Sequence, residues 1–250
     1  MSFNDAKMEE QSSRVFLTAE WRYLAMLNYE IAPEILAPLV PRGTELDLWA
    51  GKNYVSVVGF LFLDARVLGL PIPFHRNFEE LNLRFYVRRQ VADGWRRGVV
   101  FIKELVPRAA IAFVARTFYN ENYLALPMTH RVEKTGAEVQ SAEYSWRFHG
   151  AHNRLKVATR GIAQSLVPGS PQEFITEHYW GYARQRDGST MEYRVEHPPW
   201  QVWEVATAEF KCDIAGLYGA NFETCLRGPP ASAFLAAGSA VKVFCGKRLR

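Results

Sequence analysis

Three stretches of the chain carry side chains that could bind a small carboxylate or act as a nucleophile or base. The first is FEELNLRFYVRR at 78–89, where Glu79 or Glu80 precedes Asn82, Arg84 and Tyr86 at two-residue spacing. On an extended chain such alternate positions share one face. Facing water, they are ordinary surface residues. Facing an interior, an arginine needs an anion or a carboxylate partner, and Asn82, Arg84 and Tyr86 then offer donors suited to a small carboxylate. The second is Lys103, which follows VVFI and by simple alternation shares a face with Val99, Phe101 and Leu105. An amine among apolar neighbours has a lowered pKa and can serve as nucleophile or base. The competing reading is a strand-end lysine that reaches water or pairs with a carboxylate. The third is ARTFYNENY at 115–123, where Arg116 falls near a helix end and meets the negative pole of the helix dipole. Tyr119, Glu121 and Tyr123 follow, with polar tips that could reach a pocket. Glu79, Lys103 and Tyr123 are thus the catalytic candidates, and Arg84, Tyr86, Arg116, Tyr119 and Tyr123 the ligand-binding ones.

Other chemistries lack their signatures. The chain has no GxGxxG, Walker loop, GxSxG or HExxH. His149 and His152 form the one close histidine pair, without a neighbouring cysteine or carboxylate at metal-ligand spacing, so they read as a turn and no metal is expected. Nothing calls for a cofactor. The net charge of +4 is mild and the arginines are scattered, which argues against nucleic acid as a partner. Cys212, Cys225 and Cys245 are odd in number and contain no CxxC pair. No secretory leader and no run of eighteen apolar residues is visible, so the expectation is a cytoplasmic protein without a membrane partner. Strand-rich chains often form homo-oligomers, but no position here singles out an interface.

The elements that must position these residues are mostly strands. NYVSVVGFLFLDA (53–65) is apolar on both alternating faces, as in a strand buried on both sides, and AGK reads as the turn of a hairpin with ELDLW (45–49). ELNLRFYVR (80–88) alternates over nine residues, and DG at 93–94 turns it into GVVFIKELV (98–106). PRAAIAFVARTFYN (107–120) switches to helical spacing, with Pro107 in the first turn and an exit near Asn120. Further strands are expected in LPMTHRVEK, AEVQSAEYSWRF, NRLKVATR, around Asp187-Gly188, in PWQVWEVATAEF and in AVKVFCGK. SPQEF (170–174) reads as a helix start, with Ser170 capping, Pro171 in the first position and Glu173 closing a capping box. About ten strands with two or three short helices predict one α+β domain, mostly β, spanning 1–250, with 1–13 and 246–250 as poorly ordered tails. The doubly apolar strands favour a closed or strongly curved sheet with an interior.

The ordered series NYEIAPEILAPLVPRGTELDLWAGKNYVSVVGF, NFEELNLRFYV and GVVFIKELVPRAAIAFVARTFYNENY resembles the YqjF-like family of bacterial proteins, from about Trp21 to Lys242. That family resembles acetoacetate decarboxylase more distantly. The resemblance implies a single-domain antiparallel β-barrel or cone around a pocket, with short helices outside. The decarboxylase works through an imine on a lysine whose pKa is lowered by burial and an adjacent cation. Laid on its motif, this chain keeps the arginine at Arg116 and the aromatic at Tyr119, but has Thr117 for the glutamate and Tyr123 and Leu124 for the paired lysines. Neither can form an imine. The resemblance therefore implies a pocket for a small organic acid or keto compound without the Schiff-base lysine pair. The alternative is a lyase, a decarboxylase-like or another acid–base enzyme acting on a small carbonyl acid through Glu79, Lys103 or Tyr123, and the resemblance leaves open whether Glu79 or Glu80 faces the pocket.

Overall fold

The computed structural model describes residues 14–71, 76–107 and 122–249. Among them fifteen strands belong to one hydrogen-bonded sheet. The long ones are β1 (Val15–Ile31), β3 (Asn53–Val67), β5 (Phe78–Val91), β6 (Gly94–Val106), β8 (Met128–Thr135), β9 (Glu138–Phe148), β10 (Ala151–Gln164), β11 (Trp180–Arg184), β12 (Thr190–Glu196), β13 (Val202–Lys211) and β14 (Ser232–Phe244). Four have only two or three residues: β2 (Glu45–Leu46), β4 (Leu70–Pro71), β7 (Tyr123–Ala125) and β15 (Lys247–Leu249). The helices are single turns or little more, such as Pro171–Thr176. The protein is thus mostly β with a few short helices.

The strands follow the order β12-β11-β6-β5-β3-β1-β14, and β14 pairs back to β12 through Val195 with Val243 and Glu196 with Lys242. The pairing therefore returns on itself around seven strands. From β14 the sheet also continues through β13, β10 and β9 to β8, and this extension lies against the outside of the circuit. Two large apolar clusters result. One lies between circuit and extension and joins Val55, Val57, Leu83 and Phe85 to Tyr144, Trp146 and Leu155. The other lines the inside of the circuit, with Met26, Val58, Phe60, Phe62, Phe78 and Val99. This is why β3 is apolar on both faces: its first ten residues are all buried.

Local patterns explain several elements. The DG turns close β5 on β6, with Val91 opposite Gly94, and β11 on β12, with Arg184 opposite Thr190. Ser170 caps Pro171–Thr176 by accepting from the Glu173 backbone N–H at 3.2 Å. The Glu173 carboxylate reaches one residue further back than a capping box requires and accepts from the Gly169 N–H at 2.7 Å.

Three expectations change, and one long strand is new. ELDLW does not form a hairpin with β3; Glu45 and Leu46 pair with Arg88 and Val87 of β5, because Trp49 and Lys52 close a tight local turn instead. Two pairings are parallel, β11 with β6 and β6 with β7, so the sheet is not purely antiparallel. Lys247–Leu249 is no loose tail: it pairs with Thr190–Glu192. The seventeen-residue β1, bonded to both β3 and β14, has no sustained alternation in sequence. Its phase is broken by Tyr23 at φ 57° and by register shifts on both sides. Opposite it, Gly238 has φ 77°, and a Cβ there would stand 1.9 Å from the Trp21 carbonyl oxygen. Only glycine fits that crossing. The expected helix over 107–120 falls, from residue 108 on, outside the described residues, as do Arg116 and Tyr119. Among the described residues no helix is long and apolar enough to cross a membrane, and no His/Cys/Asp/Glu group could hold a metal ion.

Candidate active site

Strand β5 supplies the centre of the site. Leu81, Leu83, Phe85 and Val87 point outward into the cluster under the extension. Glu80, Asn82, Arg84 and Tyr86 point inward. The first three line a cavity of about 190 Å³ inside the circuit. Tyr86 lies one layer behind them, its hydroxyl 2.5 Å from Ser56 Oγ, which in turn donates to Asn28 Oδ1 at 2.6 Å.

The cavity wall is divided. One part is aromatic: Trp21 packs edge-on against Phe60 at 5.6 Å, Phe62 at 5.8 Å and Trp200 at 6.3 Å, while Phe62 stacks on Phe78 at 4.7 Å. His197 stacks on Trp200 at 4.1 Å, and burial lowers its pKa. The other part is polar: Glu80, Asn82, Arg84, Glu104, Tyr123 and His178.

Glu80 is 3% exposed. Asn82 Nδ2 donates to its Oε1 at 3.2 Å and the Tyr123 hydroxyl to its Oε2 at 3.4 Å. Burial pushes its pKa up to about 7, against the opposing pull of those two bonds and of the Arg84 charge. Arg84 donates through Nη2 to the Ile175 carbonyl oxygen at 3.2 Å, at the end of the capped helix, and its guanidinium carbon lies 5.7 Å from the Tyr86 ring centre. His178, two residues beyond that helix, packs against Tyr86 at 4.7 Å and Phe174 at 5.1 Å. Its Nε2 lies 3.2 Å from Asp47 Oδ2, which also accepts from Arg97 Nε at 2.7 Å. Burial drives the His178 pKa down to about 4 despite Asp47. Burial raises the Asp47 pKa, but the His178 and Arg97 bonds outweigh it and hold the carboxyl below its usual range.

Strand β6 has an irregularity that decides which residues reach the wall. Arg84 pairs with Phe101 but Leu83 pairs with Lys103, leaving Ile102 as an extra residue. Before the bulge, Val99 and Phe101 point inward; after it the phase is reversed, and Glu104, opposite Asn82, points inward. Lys103 therefore does not share a face with Val99 and Phe101, although it does with Leu105. Burial lowers its pKa, but the amine is on the outer side. Glu79 also points outward, where His130 Nδ1 lies 2.6 Å from its Oε1. Of the residues singled out from sequence, the fold brings Arg84 and Tyr123 to the cavity, puts Tyr86 behind it, and directs Glu79 and Lys103 away. Glu80, rather than Glu79, faces in. Glu104, His178, Asp47, Trp21 and Trp200 carried no local signal. His178 and Asp47 are 131 positions apart in the chain, and the bulge that turns Glu104 inward is invisible to a two-residue period.

A polar recess set in an aromatic wall inside a returning sheet defines a class. The structure resembles that of the enduracididine biosynthesis enzyme MppR, solved with pyruvate among other ligands, at a TM-score of 0.67 and 12% identity over 95% of this chain and 91% of that one. It also resembles acetoacetate decarboxylase from Legionella pneumophila, at a TM-score of 0.65 and 12% identity over 95% and 88% of the respective chains. The fold is therefore acetoacetate-decarboxylase-like. The chain belongs to the DUF2071 family, described as "Uncharacterized conserved protein (COG2071)", which matches residues 18–240. Within reach of that match is the uncharacterized protein YqjF of Bacillus subtilis (strain 168), 27% identical over 186 residues, 72% of each chain.

Proposed function

We propose that this protein binds a small organic acid or keto compound in the cavity, and that the seven-strand circuit acts as a barrel or cone holding it. Arg84 carries this reading. Its Nε is buried without a hydrogen-bond partner among the described residues, beside a cavity with room for a compact acid. A carboxylate supplies the acceptor that this Nε lacks. At about 30 Å³ per water, 190 Å³ replaces about six waters, so the ligand is small. In a thermal-shift panel of keto and hydroxy acids, a binder at a hundred times its Kd adds about 2.7 kcal/mol to stability, and Arg84→Met is expected to remove the shift. A panel that shifts the variant as much as the natural chain overturns the reading.

The Glu80–Tyr123 pair favours a second reading, an acid–base enzyme on a carbonyl acid, because a carboxyl held at about 7 can both give and take a proton near neutral pH. Imine chemistry has less support: among the described residues the cavity lining has no lysine. Borohydride trapping with a β-keto acid is expected to leave the chain's mass unchanged, and an adduct on Lys103 would reverse that conclusion.

A further inference from the structure

Asn82 Oδ1, His178 Nδ1, Arg84 Nε and Trp21 Nε1, all on cavity residues, are buried and make no hydrogen bond to any described residue. The sense of each missing bond follows from its neighbours. Asn82 donates its amide to Glu80 Oε1, so its oxygen is an acceptor awaiting a donor. His178 turns Nε2 to the ionised Asp47 carboxylate, so the neutral ring's one proton sits there and Nδ1 is a bare lone pair. Glu80 adds a third demand for donors, because its own partners are the neutral Asn82 amide and, at 3.4 Å, the Tyr123 hydroxyl. Asn82, His178 and Glu80 are 2%, 6% and 3% exposed, so water does not meet this demand freely. Arg84 Nε, by contrast, is a donor awaiting an acceptor.

A simple carboxylate or a keto acid has acceptors only. It answers Arg84 and leaves Asn82 Oδ1, His178 Nδ1 and Glu80 facing further acceptors, an arrangement that costs affinity for each buried group left unmet. An ammonium offers three donors and no acceptor. We propose that the ligand is an α-amino acid: its carboxylate pairs with Arg84, its ammonium meets Glu80 and Asn82, and a one-ring apolar side chain lies among Trp21, Phe60, Phe62 and Trp200. The inference rests on the organic-acid reading above and narrows it. Trp21 Nε1, inside the aromatic part, is the donor for a hydroxyl on such a ring.

The test is calorimetric titration at pH 7 with phenylalanine and tyrosine, each beside its desamino and its 2-keto counterpart. The amino acids are expected to bind at least tenfold tighter than either counterpart. Glu80→Gln, near-isosteric and checked for an unchanged melting profile at pH 4, is expected to shrink that preference to below threefold. A desamino or keto acid that binds as tightly as its amino acid overturns the inference and leaves the organic-acid reading standing. So does an amino-acid preference that Glu80→Gln leaves at full size. If other acids in the thermal-shift panel bind and none of these six does, the inference alone fails; if no acid binds at all, both fail.

Discussion

The two faces of β5 are buried to nearly the same degree and built for opposite ends. Outward, Leu81, Leu83, Phe85 and Val87 are fully buried among apolar side chains. They meet a surface so close that a Cβ on Gly59, beside Leu81 on β3, would stand 2.7 Å from the Tyr144 ring. Inward, Glu80 and Asn82 are as hidden, yet they carry groups that cost free energy to bury and border open space. Alternation in the sequence thus separates close packing from cavity lining, not inside from outside. A polar stripe on a strand is as compatible with a cavity as with solvent.

Substitutions can break this contrast. The largest effect is expected on the outer face: Leu83→Ala removes a fully buried side chain with no slack around it, at a cost of about 3 kcal/mol. That lowers the melting temperature by roughly 6–12 °C, with ligand affinity little changed if the faces are independent. On the inner face the sign reverses. The Glu80 carboxyl titrates at about 7 in the fold against 4.5 when unperturbed, so the folded chain holds its proton more tightly than the unfolded chain does. Its contribution to stability is then greatest below about pH 4.5 and is lost as pH rises to 7. Glu80→Gln is accordingly expected to stabilise the protein at pH 8, on the order of 3 kcal/mol. The gain should fade below pH 4.5, as read from urea melts at the two ends of the range. A variant equally stable at both would mean that the carboxyl is not held up. Gly59→Ala tests the tightness of the outer face directly, at about 1–3 kcal/mol of destabilisation for a methyl that forces Tyr144 aside. The smallest effect is expected from Ser170→Ala, which removes the cap of the helix holding Arg84 through Ile175, at about 1 kcal/mol. Because it loosens Arg84, it should weaken acid binding more than Gly59→Ala does.

How far the sequence could be read follows the range of the interactions. The β5 alternation, both DG turns and the Ser170-Pro171 helix start are set by contacts within a few residues, and they are legible. The bulge at Ile102 is set by what faces it on β5, so Lys103 was expected on the Val99 face and lies on the other. Asp47, which fixes the proton on His178, comes from a stretch that reads as half of a hairpin and serves instead as the edge of β5. Trp21 and Trp200 meet only when β1 has been laid between β3 and β14, and nothing periodic in β1 announces that strand. The acidic residue of the wall was narrowed to Glu79 or Glu80, and only the paired register decides for Glu80.

The bulge has one more implication. Cavity composition here depends on phase as well as on which residues are encoded. If β6 ran on past Phe101 without bulging, so that Ile102 paired with Leu83, Lys103 would fall opposite Asn82 and Glu104 would turn outward, exchanging an acid on the wall for an amine without any codon having changed. Such a strand behaves like a vernier with one notch of slip. In a fold whose solved relatives include a decarboxylase, that notch offers a shorter path between different pocket chemistries than replacing the lining residue by residue.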